Sequence, residues 1–342
     1  MAKITIKDIA KICGVGVSTV SRTLNGHPDV NPDTREKILE TVKKMNYVPN
    51  NSARNLGRND SASIAVLVKG ATNTLFSPMI STIEYEAKER GYDVVLHSVG
   101  FYENEIDVAR ELVKEKRLRG IIFLGGFSLH SEEKLKELDV PFVLTTTGYV
   151  TERFNRNVYS TVSVDDAAEG EKMTDYLIKC GHMRIAILGP DPHDNSVGSL
   201  RLAGYKRSLH SHGIDFNEKL VIPMDRETAD YTMENGYAAM KNFLKKDIKC
   251  SAVFAISDTL AIGAARAIHD AGMRVPEDIA VAGFDGIPAG KFTVPSITTI
   301  KQPVEDMAKE SARVLFDVID KKGENVHEVF PGELIIREST SI

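Results

Sequence analysis

Residues 5–25 read TIKDIAKICGVGVSTVSRTLN, and their spacing decides the fold of the N-terminal segment. Thr5 stands three residues before Asp8, the pattern of a capping box, with a carboxylate at the positive end of a helix. Ile6, Ile9, Ala10 and Cys13 recur at intervals of three and four and define one apolar helical face. Gly14-Val15-Gly16 stops that helix and permits a tight turn. A second helix is predicted over 17–25, with Val20 and Leu24 turned inward and Gly26 and Pro28 ending it. Asn31-Pro32 opens a third: Asn caps, and Pro at the first helical position gives up no needed donor. Its buried face is Ile38, Val42 and Met45. Helix, glycine turn and helix is the arrangement that DNA readers use to set their second helix in the major groove, although other short helical hairpins share it.

Charge points the same way. Residues 1–60 hold ten Lys or Arg against six Asp or Glu, whereas the remaining 282 hold 33 against 42. A basic leading segment on an acidic body suits a polyanionic partner. At 342 residues, with 42% hydrophobic content, the chain has material for two or three globular units. It contains no run of about 18 apolar residues, so no membrane span is expected. Residues 1–8 alternate charged and apolar side chains without the apolar stretch of a signal peptide, so a cytoplasmic protein is expected. Cys13, Cys180 and Cys250 are far apart and read as reduced thiols. No metal-ligand cluster, no dinucleotide or phosphate loop and no nucleophile–base set is found, so neither catalytic residues nor a cofactor is expected.

Beyond residue 60, apolar strand-like runs alternate with amphipathic helical runs. The strands fall at 63–68, 93–98, 120–124, 141–145, 184–188, 251–255, 280–284 and 333–337. The helices fall at 78–90, 104–116, 165–179, 198–212, 233–245, 259–271 and 303–321. Such alternation implies parallel sheets with crossover helices, and the length suits two sheets. Open parallel sheets take ligands at the carboxyl ends of their strands, and two facing lobes make a cleft that can close. Phe76, in the loop after the first of these strands, is placed to line such a cleft.

Several stretches carry a family likeness. They include Thr5-Ile6-Lys7-Asp8-Ile9-Ala10, Val17 through Asn25, Tyr47-Val48-Pro49-Asn50 with Ala53 and Leu56, Gly181-His182-Met183-Arg184-Ile185-Ala186, Arg201-Leu202-Ala203-Gly204-Tyr205, Ser257-Asp258-Thr259, Gly283-Phe284-Asp285 and Thr299-Ile300-Lys301-Gln302-Pro303. With these the chain resembles the lac repressor/galactose repressor family along its whole length. The resemblance implies an all-α helix-turn-helix headpiece over 1–48, a hinge helix and linker over 49–60, and an α/β core over 61–342 similar to periplasmic sugar-binding proteins. Its two parallel-sheet lobes would be joined by three crossovers, lobe 1 at about 61–162 and 303–326, lobe 2 at about 163–302 and 327–342. It further implies a homodimer on a near-palindromic operator in double-stranded DNA, switched by a small polar effector such as a sugar. No leucine heptad follows residue 337, so a dimer rather than a tetramer is expected.

Residue by residue, the resemblance puts Val17, Ser18 and Arg22 at base edges, and Thr5, Thr19, Ser21, Asn25 and Thr34 at phosphates. Gly16 departs from the family's usual Ser. Asn50 would cap the hinge helix, Arg54 would lie near phosphate, and Leu56 would wedge into a base step from the minor groove. In the core, Arg201 and Asp285 match the charged pair that holds effector hydroxyls, and Tyr231 matches an aromatic that stacks on the ligand ring. Ser257 stands where Asn is commoner, Thr146 replaces a common Asp, and Gln302 lies on an inter-lobe crossing. Rival classes are a transport binding protein, which needs a signal peptide and no headpiece, and a sugar-processing enzyme, which needs a catalytic set. A phosphorylated carrier protein, which binds the core in some relatives, stays open as a protein co-regulator.

Overall fold

The computed structural model describes residues 4–24, 27–45, 47, 62–70, 72–100, 103–126, 132–147, 158–190, 196–224, 231–246 and 248–341. The chain divides into two compact units, Met1–Ser61 and Ala62–Ile342.

Among its described residues the first unit holds three helices: α1 (Ile6–Cys13), α2 (Val17–Leu24) and α3 (Pro32–Lys44). Their apolar faces meet in a small core of Ile9, Ala10, Cys13, Val20 and Ile38, with Leu24, Val42 and Met45 half-buried against it. The termini are made as the sequence predicts. The Asp8 carboxylate accepts from the Thr5 amide at 2.9 Å and from its hydroxyl at 2.7 Å. Gly14 caps α1 with φ +70, a left-handed conformation that a side chain would strain. Asn31 Oδ1 accepts from the Asp33 amide at 2.9 Å, ahead of Pro32.

The second unit contains two six-stranded sheets. The strands are β1 (Ser63–Lys69), β2 (Asp93–Val99), β3 (Gly120–Leu124), β4 (Phe142–Thr145), β5 (Ser160–Val164), β6 (Ile185–Gly189), β7 (Val221–Pro223), β8 (Ala252–Ala255), β9 (Ala280–Asp285), β10 (Thr298–Lys301), β11 (His327–Phe330) and β12 (Glu333–Ile335). The helices between them are α4 (Phe76–Glu89), α5 (Glu105–Lys116), α7 (Asp166–Lys179), α8 (Val197–Ser211), α9 (Met233–Leu244), α10 (Asp258–Asp270) and α11 (Val304–Ile319), with the single turn α6 (Glu132–Leu135) before β4. Sheet one runs β11-β5-β4-β3-β1-β2 and is parallel throughout. Sheet two runs β12-β10-β9-β8-β6-β7 and is parallel except for β12, an antiparallel edge strand. Central strands such as β3 and β8 are buried at every residue, which is why they read as unbroken apolar runs.

Two expected lobe boundaries move. Residues 163 and 164 complete β5 in the first sheet, and residues 327–330 form β11 in that same sheet. The first crossing therefore follows Val164, and the last follows Phe330 rather than residue 326. The physical reason is that β5 and β11 are polar strands without an apolar signature. Two β5 hydroxyls are satisfied from distant chain: Ser160 Oγ donates to Asn325 Oδ1 at 3.0 Å, and Thr161 Oγ1 lies 2.8 Å from His327 Nδ1, whereas the buried Ser163 hydroxyl has no partner among the described residues.

Candidate nucleic-acid interface and effector cleft

On α2 the buried side is Val20 and Thr23, whose hydroxyl donates to the Thr19 carbonyl at 2.9 Å. The outer side carries Val17, Ser18 and Arg22, all exposed, with Thr19 and Ser21 half-buried. An exposed valine at the start of a helix has no core role, which leaves it free for a thymine methyl. Thr5 is exposed at the start of α1, and Thr34 is half-buried in the first turn of α3. Arg22 is engaged within the unit: its Nε donates to Asp29 Oδ1 at 3.3 Å, and its Nη2 donates to Oδ2 of the same carboxylate. That contact holds the Asp29 carboxyl below the usual range. Asn25, Asn50, Arg54 and Leu56 lie outside the described residues.

In the second unit, loops after β1, β3, β4, β9 and β10 converge with the start of α8 on one cavity, whose empty space including its mouth is about 760 Å³. Phe76, Thr146, Arg201, Tyr231, Asp285 and Gln302 all line it, so six of the seven expected cleft residues come together. Ser257 does not. It is fully buried, and its Oγ caps α10 by accepting from the Leu260 amide at 3.3 Å. A helix N-terminus claims that hydroxyl before a ligand can.

The charges in the cleft are committed. Arg201 is buried, its Nε and Nη2 lie 2.9 and 2.8 Å from Asp166 Oδ1, and its Nη1 donates to the Ile256 carbonyl. Its guanidinium lies 3.6 Å from the centroid of the Phe284 ring. Asp285 is the second carboxylate, 3.7 Å away, and accepts from Asn73 at 3.2 Å and Gln302 at 2.9 Å. The Asn73 bond joins a loop of the first lobe to a strand end of the second. Burial pushes both carboxyls up against the opposing pull of Arg201, Asp166 to about 6. Buried Lys69 donates to Glu105 at 2.9 Å and to the Glu103 carbonyl at 2.7 Å.

Backbone geometry at the cleft is unusual. Thr146 and Asp285 have φ +59 and +113, conformations that a non-glycine residue holds only when its surroundings fix it. At Gly125, φ is +73 and a Cβ would meet the Lys69 carbonyl at 2.7 Å, so no side chain fits between these loops.

Residues 5–50 match the family described as bacterial regulatory proteins, lacI family, and residues 174–340 match the periplasmic binding protein-like domain. The HTH-type transcriptional regulator MalR of Clostridium butyricum is 41% identical over 98% of each chain. The chain belongs to the lacI family. This lacI-family member is therefore a transcriptional regulator that binds DNA through its helix-turn-helix, the motif formed by α1 and α2. A solved structure of a transcriptional regulator CelR–cellobiose complex is 32% identical, covers 98% of this chain and 99% of its own, and has a TM-score of 0.70. A lac repressor dimer bound to operator and an anti-inducer is 24% identical over 99% of each chain with a TM-score of 0.77, and it shares the fold.

Sequence reasoning about this lacI-family chain missed Asn73, Lys69 with Glu105, Asp166 and Asp29. Asp165-Asp166 reads as ordinary helix-opening carboxylate. In the structure Asp165 is the cap, accepting from the Ala168 amide at 2.9 Å, and Asp166 turns inward to Arg201. Lys69 and Glu105 are 36 positions apart, and no local pattern links them.

Proposed function

We propose that this regulator binds a near-palindromic operator as a cytoplasmic homodimer and is switched by an uncharged sugar or short oligosaccharide held in the cleft. The carrying observation is the cavity wall. Both cations that line it already have carboxylate partners, Arg201 with Asp166 and Lys69 with Glu105, while Asp285 faces the space beside neutral Asn73, Gln302 and Thr146. A carboxylate with amide donors suits hydroxyl groups, which both give and take protons. It opposes a phosphate, whose charge would find no uncommitted cation among the described lining residues. Phe76 and Tyr231 supply apolar surface for the faces of a sugar ring. The complex of the CelR relative with cellobiose supports the same class.

On the DNA side, Val17, Ser18 and Arg22 read base edges, and Thr5, Thr19, Ser21 and Thr34 hold phosphates. The exposure of the first three and the family match support that assignment. Dimerisation is supported by the exposed Val294, which lines a groove of mixed character, apolar at Tyr237, Ile262, Met273 and Val275 and charged at Glu234, Arg266, Arg274 and Glu277. Such a face is self-complementary when a knob of one copy meets the groove of another.

The test is a panel of neutral sugars, cellobiose included, and their phosphates, scored by thermal shift on the full chain. Anisotropy on a duplex selected from a random DNA pool completes it. At least one neutral sugar raises the melting temperature and changes DNA affinity about 5- to 150-fold. The reading fails if only phosphorylated compounds bind, or if binding leaves DNA affinity untouched.

A further inference from the structure

We infer that Asp29 is a positioning residue for base recognition: its carboxylate grips the Nε–Nη2 edge of Arg22 and leaves the Nη1–Nη2 edge of the fork presented to a guanine. The inference rests on the proposed reading of Arg22 as a base-edge contact. A guanidinium carries five N–H groups in a rigid plane. The contact with Asp29 is side-on, through Nε at 3.3 Å to Oδ1 and through Nη2 to Oδ2. It consumes one N–H of each nitrogen. Two N–H groups on Nη1 and one on Nη2 remain, and these form the edge that matches guanine O6 and N7 in parallel.

The carboxylate is itself held. The loop that carries it is pinned before and after Asp29. The His27 amide donates to the Arg22 carbonyl at 3.1 Å, and Arg35 donates to the His27 carbonyl. Val30 is buried, and Asn31 caps α3. Asp29 therefore sits on a fixed arm seven positions beyond the arginine it grips. A carboxylate beside the groove-reading helix repels phosphate and weakens binding to all sequences alike. In return it removes the rotamer freedom that would let Arg22 find a phosphate instead of a base, since phosphate contacts carry no sequence information.

Selection from a random double-stranded DNA pool with the full chain gives a preferred duplex, and anisotropy on its single-base variants measures each preference. Five proteins are compared: wild type, Asp29→Asn, Arg22→Ala, the double variant, and Asp29→Glu as the conservative rescue. Wild type prefers guanine at one position in each half-site. In Asp29→Asn that preference falls about tenfold while the others stand, and Asp29→Glu recovers part of it. In the Arg22→Ala background, Asp29→Asn alters no preference. The inference is overturned if Asp29→Asn keeps the guanine preference and only tightens binding to every sequence, in both backgrounds, because Asp29 is then a plain repulsive charge. A wild type without any base preference, or an Arg22→Ala variant with every preference intact, overturns the base-reading role of Arg22 itself and the inference with it.

Discussion

Two arginines of this chain are each held by an aspartate, and their surroundings make the pairs opposite in kind. Arg22 and Asp29 lie on the headpiece surface with side chains 51% and 52% exposed, whereas Arg201 and Asp166 lie in the cleft wall at 4% and 2%. Water and salt screen the first pair, so the fold loses little if it is removed, and its use is to orient one side chain. The second pair has surrendered its hydration. Its members are worth keeping together chiefly because either one alone would be a buried charge without its nearest partner. The same two residue types thus serve as a guide for one side chain at the surface and as buried framework in the cleft.

The largest expected effect breaks the buried pair. Asp166→Ala strands the Arg201 guanidinium, which keeps only the Ile256 carbonyl, the Phe284 face and Asp285 at 3.7 Å. Loss of one partner from a buried ion pair costs about 3–5 kcal/mol, read from urea unfolding of the full chain. A loss under about 1 kcal/mol, the range of exposed pairs, would erase the distinction drawn between the two regions.

A second test uses pH. Asp258, fully buried at the start of α10, accepts from the Ile287 amide at 2.8 Å. Burial first, and the charge of Asp285 next, push its carboxyl up to about 8. In the unfolded chain an Asp titrates near 4. Between those values the folded protein keeps a proton that the unfolded chain releases, so this group's contribution falls as pH rises through about 4–8 and is flat above. Asp258→Asn removes that titration. Its unfolding free energy declines less than that of wild type between about pH 5 and 9; equal declines would mean that Asp258 is ionised in the fold. Asp29 shows the contrary sign: its carboxyl is held low by Arg22 at the surface, so its contribution is already complete above about pH 4 and adds no slope in that window.

The contrast also explains what the sequence revealed. Helices α1 to α3 were legible because a small unit must bury one stripe each, and Ile9, Val20 and Ile38 keep that spacing. Cap residues were legible because their chemistry is local: Asp8, Asn31 and Asp165 all sit where their side chains accept from free amides at a helix start. In the cleft, Arg201, Asp285, Tyr231 and Gln302 were placed by likeness to a family. What stayed hidden was who holds them. Asp166 meets Arg201 across 35 positions and Asn73 meets Asp285 across 212, so neither pairing leaves a periodic trace. Ser257 shows the converse error, since a residue at a familiar position had its hydroxyl taken by the helix it begins. The polar strands β5 and β11 failed for the same reason as the pairs, because partners that neutralise polarity come from distant chain.

The smallest expected effect sharpens the comparison from the other side. Asp29→Ala removes a carboxylate that touches only Arg22 among the described contacts, at half exposure. If the pair only guides a surface side chain, the stability of the headpiece hardly changes, and any change shrinks further in high salt. The loop should hold without it, because Val30, Asn31 and the Arg35–His27 bond anchor the chain independently. Hydrogen exchange of α2 and α3 amides measures this directly. Unchanged protection is expected, with the effect of the substitution confined to DNA discrimination. Loss of protection across both helices would place Asp29 in the framework, and the surface pair would then belong with the buried one.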